Sequence, residues 1–132
     1  MKINELVRKA HKNAIDKGFY QEKREIGTAL MLIVSELSEA LEADRNDRRA
    51  NLKAYELLLK DSDNLGFTEE EQNDYVSQNF KIAIKDTLED ELADAVIRIC
   101  DLCGHLNIDL EKHIKHKLFY NSLRDERHGK RY

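Results

Sequence analysis

Apolar residues recur along this chain at helical intervals. Leu30, Ile33, Val34, Leu37 and Leu41 are spaced 3, 4, 7 and 11 residues from Leu30, which fits one face of a helix and no strand. They predict a helix from about Glu22 to Arg45. Leu88, Leu92, Ala95, Val96, Ile99, Cys103 and Leu106 predict a second such helix, from about Ile84 to Leu106. Ahead of both, a helix is expected from about Asn4 to Lys17, with Asn4 as N-cap and Gly18 as its stop. Behind them, Asp109 caps a helix expected over about Leu110 to Arg127.

Asn46 to Ala83 is less regular. Leu52 to Leu59 reads as a short helix, and Asp61-Ser62-Asp63-Asn64-Leu65-Gly66 as a turn cluster. Thr68-Glu69-Glu70-Glu71 is a capping-box pattern that opens another short helix. No repeat is visible. The pattern predicts one all-α domain over residues 1–132, a bundle carrying a helical insertion at about 46–83.

Composition strengthens the helical reading. The 132 residues include no proline, where average usage predicts about six or seven, and 5 glycines. Charged residues make up 36%. That argues against β-sandwiches and low-complexity tails. A net charge of −4 provides no basic field for nucleic acid. No apolar run approaches the ~18 residues of a membrane span. Residues 1–13 carry charges where a signal peptide has its apolar stretch, so a cytoplasmic location is expected.

The candidate chemistry lies in two acidic pairs. Glu36-Leu37-Ser38-Glu39 and Glu91-Leu92-Ala93-Asp94 each place two carboxylates at i, i+3, about 60° apart on a helix face. Both pairs lie in the most apolar helices, which belong at a bundle centre. Carboxylates gathered there repel one another, and divalent cations with a taste for hard oxygen ligands, Mg²⁺ or Mn²⁺, resolve the repulsion. Either pair alone is more often a solvated face. A di-iron centre would use Glu-x-x-His pairs, which the chain lacks.

Lys117, Asn121 and Arg124 continue the apolar face of Leu110 and Ile114 at helical spacing. Hydrogen-bond donors on a core-directed face point to an anion pocket, with Arg127, His128, Lys130 and Arg131 extending the positive charge. The competing explanation is helix-terminal cations set against the macrodipole.

Together these segments resemble the MazG-like group of all-α NTP pyrophosphatases. Leu30-Met31-Leu32-Ile33-Val34-Ser35-Glu36-Leu37-Ser38-Glu39-Ala40 is similar to that group's first motif. Glu89-Asp90-Glu91-Leu92-Ala93-Asp94 is similar to its second, and Lys117-x-x-x-Asn121-x-x-Arg124 with His128-Gly129-Lys130 to its third, in the same order. The resemblance covers about 18–45 and 85–131. It implies a four-helix-bundle core assembling as a homodimer or homotetramer. It also implies Mg²⁺-dependent cleavage of a nucleoside triphosphate between the α and β phosphates, for nucleotide-pool house-cleaning. By motif position, Glu36, Glu39, Glu91 and Asp94 would hold the metal, with Glu36 or Glu39 orienting the attacking water. Lys117, Asn121, Arg124 and Lys130 would contact the substrate. The 51 residues between Glu39 and Glu91 exceed the family's usual hairpin. The rival expectation is a non-catalytic helical module that binds a nucleotide or a protein.

Cys100-x-x-Cys103 falls inside an apolar helix with no strand before it, so core packing is expected rather than redox or zinc chemistry. His113 and His116 are expected at the surface. Phe19 and Tyr20 are expected to pack, with base stacking as the alternative.

Overall fold

A computed structural model describes residues 1–131; Tyr132 and the side chain of His128 lie outside the described residues. The element order is α1 (Ile3–Asp16), α2 (Ile26–Arg45), α3 (Leu52–Ser62), α4 (Glu69–Ala83), α5 (Leu88–His105) and α6 (Leu110–Ser122), then a 3₁₀ turn at Glu126–Gly129. The described residues contain no strand. The all-α expectation holds, and no helix is long and apolar enough to cross a membrane. The chain divides into two compact units, 1–29 with 97–132, and 30–96. Both boundaries fall inside helices, α2 and α5, and not at the ends of the 46–83 stretch.

The first unit forms around α1 and the second half of α5. Val7, Ala10, Cys100 and Cys103 make a small buried cluster, with Leu6 and Leu110 against it. Gly104 permits this approach, because a Cβ there would meet His11 Cβ at 2.6 Å. Helix α1 stops at Gly18, whose φ of +84° suits a residue without Cβ, and the Phe19 amide returns to the Ala14 carbonyl at 3.0 Å. Asn4 is not the cap expected for it. Lys2 occupies that position without a side-chain bond, and Asn4 lies within the helix. Its amide instead donates to Asp109 Oδ1 at 2.9 Å, and its Oδ1 accepts from the Glu111 amide at 3.2 Å, which joins α1 to α6.

The second unit holds α3 and α4, packed as a pair. Asn51 caps α3, and Thr68 with Glu71 makes the expected capping box on α4. Buried Ser62 clasps the pair by donating to the Leu59 carbonyl at 2.7 Å and accepting from Gln72 at 2.8 Å. The Asn51 amide reaches the Ala83 carbonyl at 2.9 Å, closing the two helices at their base. The link into α3 is stitched to α5 through Leu88 N to Arg48 O at 3.2 Å and Ala50 N to Glu89 at 2.9 Å.

Three helix ends differ from expectation. Helix α2 begins at Ile26 and not at Glu22, because Arg24 leaves the helical register to reach Asp101, which Tyr20 also meets from the link before it. Helix α5 begins at Leu88, since Asp86 takes a φ of +59° in the preceding turn. Helix α6 ends at Ser122, which leaves Arg124 just past its C-cap Leu123.

Of the apolar stripe expected on α2, Ile33 alone is buried. Leu30, Val34, Leu37 and Leu41 are each about half exposed, and Ala29, Ile33, Glu36, Ala40 and Ala43 form the buried face instead. On α5, Leu92 and Val96 are likewise half exposed.

Candidate metal centre

Both acidic pairs lie in the second unit, on α2 and on the first half of α5. Oxygens of Glu36, Glu91 and Asp94 all lie within 4.8 Å of one another. Glu36 and Glu91, 55 positions apart in sequence, are 6% and 5% exposed, while Asp94 reaches solvent. Glu39 is exposed, and its charge acts on Glu91 more strongly than that of any other side chain. So the structure gathers all four acids expected at the centre, with three in a tight group and Glu39 at its side.

The electrostatics follow from that geometry. Burial, reinforced by the charges of Glu39, Asp90 and Glu36, pushes the Glu91 carboxyl up from 4.5 to about 7. The donor set is all oxygen, partly buried and open on the Asp94 side. That fits a hard divalent cation, and does not select Mg²⁺ over Mn²⁺ or Ca²⁺. A second group, Asp86, Asp90 and Glu91, shares Glu91 with the first. Sequence reasoning passed over it, though the acidic run Glu89-Asp90-Glu91 was its visible signal.

Beside these acids the second unit holds an open cavity of about 430 Å³. Asp90 and Asp94 form part of its wall, and Tyr55, Phe80, Lys81 and Lys85 another part. Tyr55 and Phe80 meet edge to face at 5.8 Å. Lys85 pairs with Asp86 at 2.5 Å, which holds its ammonium above the usual lysine range. Tyr55, Phe80, Lys81 and Lys85 come from the irregular stretch or its border and were not singled out from sequence.

The expected basic strip lies in the first unit. Lys117 is exposed, with Nζ 5.0 Å from the Tyr120 ring centre, and half-buried Arg124 stands 5.7 Å from the same ring. Asn121 is half-buried and Lys130 is exposed.

The first unit also has an acid centre, of opposite character. Asp101, 7% exposed, accepts from Arg24 at 3.0 Å and from the Tyr20 hydroxyl at 2.8 Å, and pairs with His11 Nδ1 at 2.9 Å. Burial, then the bond to Asp101, raises the Tyr20 hydroxyl above its usual range. Tyr20 is thereby a packing residue, and the Phe19 ring beside it is exposed. Cys100 and Cys103 are buried free thiols, raised by burial, in line with a core role. His113 and His116 are exposed, as expected.

No family model matches this chain, and no curated protein or solved structure does so either.

Proposed function

We propose that this protein is a divalent-cation-dependent nucleoside triphosphate pyrophosphohydrolase of the MazG-like, all-α kind, releasing a nucleoside monophosphate and pyrophosphate. The observation that carries the reading is the joining of two acidic pairs, distant in sequence, into one partly buried carboxylate group. The resemblance of both pairs, and of the Lys117, Asn121, Arg124 pattern, to that group's motifs supports it.

Glu36, Glu91 and Asp94 would hold the cation, with Glu39 completing the set. Bound there, Mg²⁺ would supply charge neutralisation for the phosphate oxygens, which is most of what phosphoryl chemistry asks of a protein. Glu39 is exposed beside the group, where it can orient a water and take its proton as that water attacks the α-phosphorus. The bond from the α-phosphorus to the bridging oxygen then breaks, and pyrophosphate leaves. By the resemblance alone, Lys117, Asn121, Arg124 and Lys130 would contact the substrate. Such an enzyme would serve nucleotide-pool house-cleaning in the cytoplasm.

The active form in this reading is a homodimer or homotetramer. Leu30, Val34, Leu37 and Leu41 repeat at intervals of 4, 3 and 4 and stay half exposed, which is the seam a second helix packs into. Sedimentation of the wild type is expected to show an oligomer at micromolar concentration. Leu37→Glu should shift it to monomer, and a monomeric wild type would contradict this part.

The test of activity is release of pyrophosphate and monophosphate from a panel of standard and modified ribo- and deoxyribonucleoside triphosphates, with and without Mg²⁺. Metal-dependent release from any member supports the proposal. Silence across the panel from folded, oligomeric protein would favour a non-catalytic helical binding module.

A further inference from the structure

We infer that the stretch between the two acidic motifs carries the nucleoside pocket, so that α3 and α4, and not only the motif helices, choose the substrate. This deepens the pyrophosphohydrolase reading and rests on it for the identity of the ligand. The observation is a shared wall: Asp94 belongs both to the carboxylate group and to the lining of the 430 Å³ cavity. A molecule seated in that cavity therefore lies against the candidate cation site.

The cavity's chemistry changes along α4. Asn73, Ser77 and Lys81 succeed one another at intervals of four and line the cavity together. At 1.5 Å per residue they span about 12 Å, the scale of a nucleoside with its first phosphate. At the C-terminal end, Lys81 and Lys85 provide cations near Asp90 and Asp94. Ammonium groups beside cation-holding acids suit a polyphosphate that arrives with its metal ion. Toward the N-terminal end stand Asn73 and Ser77, neutral groups that both donate and accept. These are the groups that read the edge of a base. Tyr55 and Phe80, in edge-to-face contact beside Lys81, give an apolar wall between the two ends, against which the sugar packs.

The fold holds this wall in place. Ser62 with Gln72 and the Asn51–Ala83 bond fix α3 on α4 at both ends, so Tyr55 on one helix and Phe80 on the other keep their spacing. The occupant is a nucleoside triphosphate, with its base toward Asn73 and Ser77, its sugar against Tyr55 and Phe80, and its phosphates by Lys81, Lys85 and Asp94.

The experiment is binding of non-hydrolysable α,β-imido analogues of the common ribo- and deoxyribonucleoside triphosphates, with Mg²⁺, followed by amide chemical shifts of the full chain. The expected result is perturbation at Tyr55 and across 73–94. Lys81→Ala with Lys85→Ala should weaken binding about tenfold or more. Tyr55→Leu should weaken it about fivefold and Tyr55→Phe restore it, with circular dichroism confirming the fold of each. Asn73→Ala should alter the ranking of the analogues by base. Perturbation confined to residues outside 55–94, or wild-type affinity and ranking in all these variants, would overturn the inference while leaving Mg²⁺-dependent pyrophosphate release intact. Binding in the cavity without pyrophosphate release from any hydrolysable counterpart would keep the pocket and sink the enzyme reading. No binding of any analogue would overturn both.

Discussion

Asp101 and Glu91 stand ten positions apart on α5 and are buried alike, at 7% and 5% exposure. Their surroundings are opposite. Asp101 meets an arginine, a tyrosine hydroxyl and a histidine, at 2.8 to 3.0 Å. Glu91 meets Glu39, Asp90 and Glu36, and its carboxyl is held up at about 7. A buried carboxylate needs compensation, because desolvation disfavours its charge. At Asp101 the chain supplies that compensation itself, and the result is structural. At Glu91 the chain adds further negative charge, an arrangement that stabilises nothing by itself and makes sense where a cation arrives from outside.

The comparison can be broken most forcefully at the acid group. Glu36→Gln and Asp94→Asn should each lower turnover by about 10³-fold or more, since the phosphate clamp is lost. Both variants should keep the wild-type circular dichroism spectrum, because the group is placed to hold a cation rather than to hold the fold. Loss of fold in both variants would place this group with Asp101 as a structural network.

Asp101→Ala should behave in the reverse way. It strands the Arg24 guanidinium, 14% exposed, and should cost about 3–5 kcal/mol in urea denaturation. A cost under about 1 kcal/mol would show that the first unit does not depend on this centre.

pH sharpens the contrast. With Glu91 at about 7 in the native state and 4.5 as its ordinary value, the native chain keeps a proton that the unfolded chain has already released. The metal-free protein should therefore be most stable below about pH 4.5, as far as this group is concerned. It should lose stability as pH rises through 7, by up to about 3 kcal/mol. Saturating Mg²⁺ should counter that loss, adding about 3 kcal/mol at a hundredfold excess over its dissociation constant. Glu91→Gln should flatten the metal-free profile, as read from thermal midpoints between pH 5 and 8.

The smallest effect concerns an acid that is satisfied at the surface. Asp109 is held down at about 2, first by the Asn4 amide and then by the Lys112 amide. Asn4→Ala should cost about 1 kcal/mol and leave metal response unchanged.

Much of the fold was legible in the sequence. The 3-and-4 spacing, the Gly18 stop, the Asp109 cap and the Thr68–Glu71 box all mark elements the structure contains. The meeting of Glu36 with Glu91 was legible too, from carboxylate pairs set in apolar helices. What escaped depends on tertiary contact. Nothing local in Arg24 says that Asp101, 77 residues on, will draw it out of a helix. The Leu30, Val34, Leu37, Leu41 face looked like a core because its period is right. The chain buries the alanine face beside it, and periodicity alone does not say which of two apolar faces meets its own chain. The cavity wall escaped because Asn73, Ser77 and Lys81 are polar residues on a polar helix, with meaning only once Tyr55 and Asp94 stand opposite.

The most direct test of the acid group is Mn²⁺ binding, followed by electron paramagnetic resonance at pH 8, in the wild type, Glu91→Gln, Asp94→Asn and Asp109→Asn. The account predicts at least one Mn²⁺ per chain in the wild type, displaced by Mg²⁺. It predicts binding weakened tenfold or more in the Glu91 and Asp94 variants and unchanged in the Asp109 variant. Equal Mn²⁺ affinity in all four proteins, or no binding by the wild type, would contradict it.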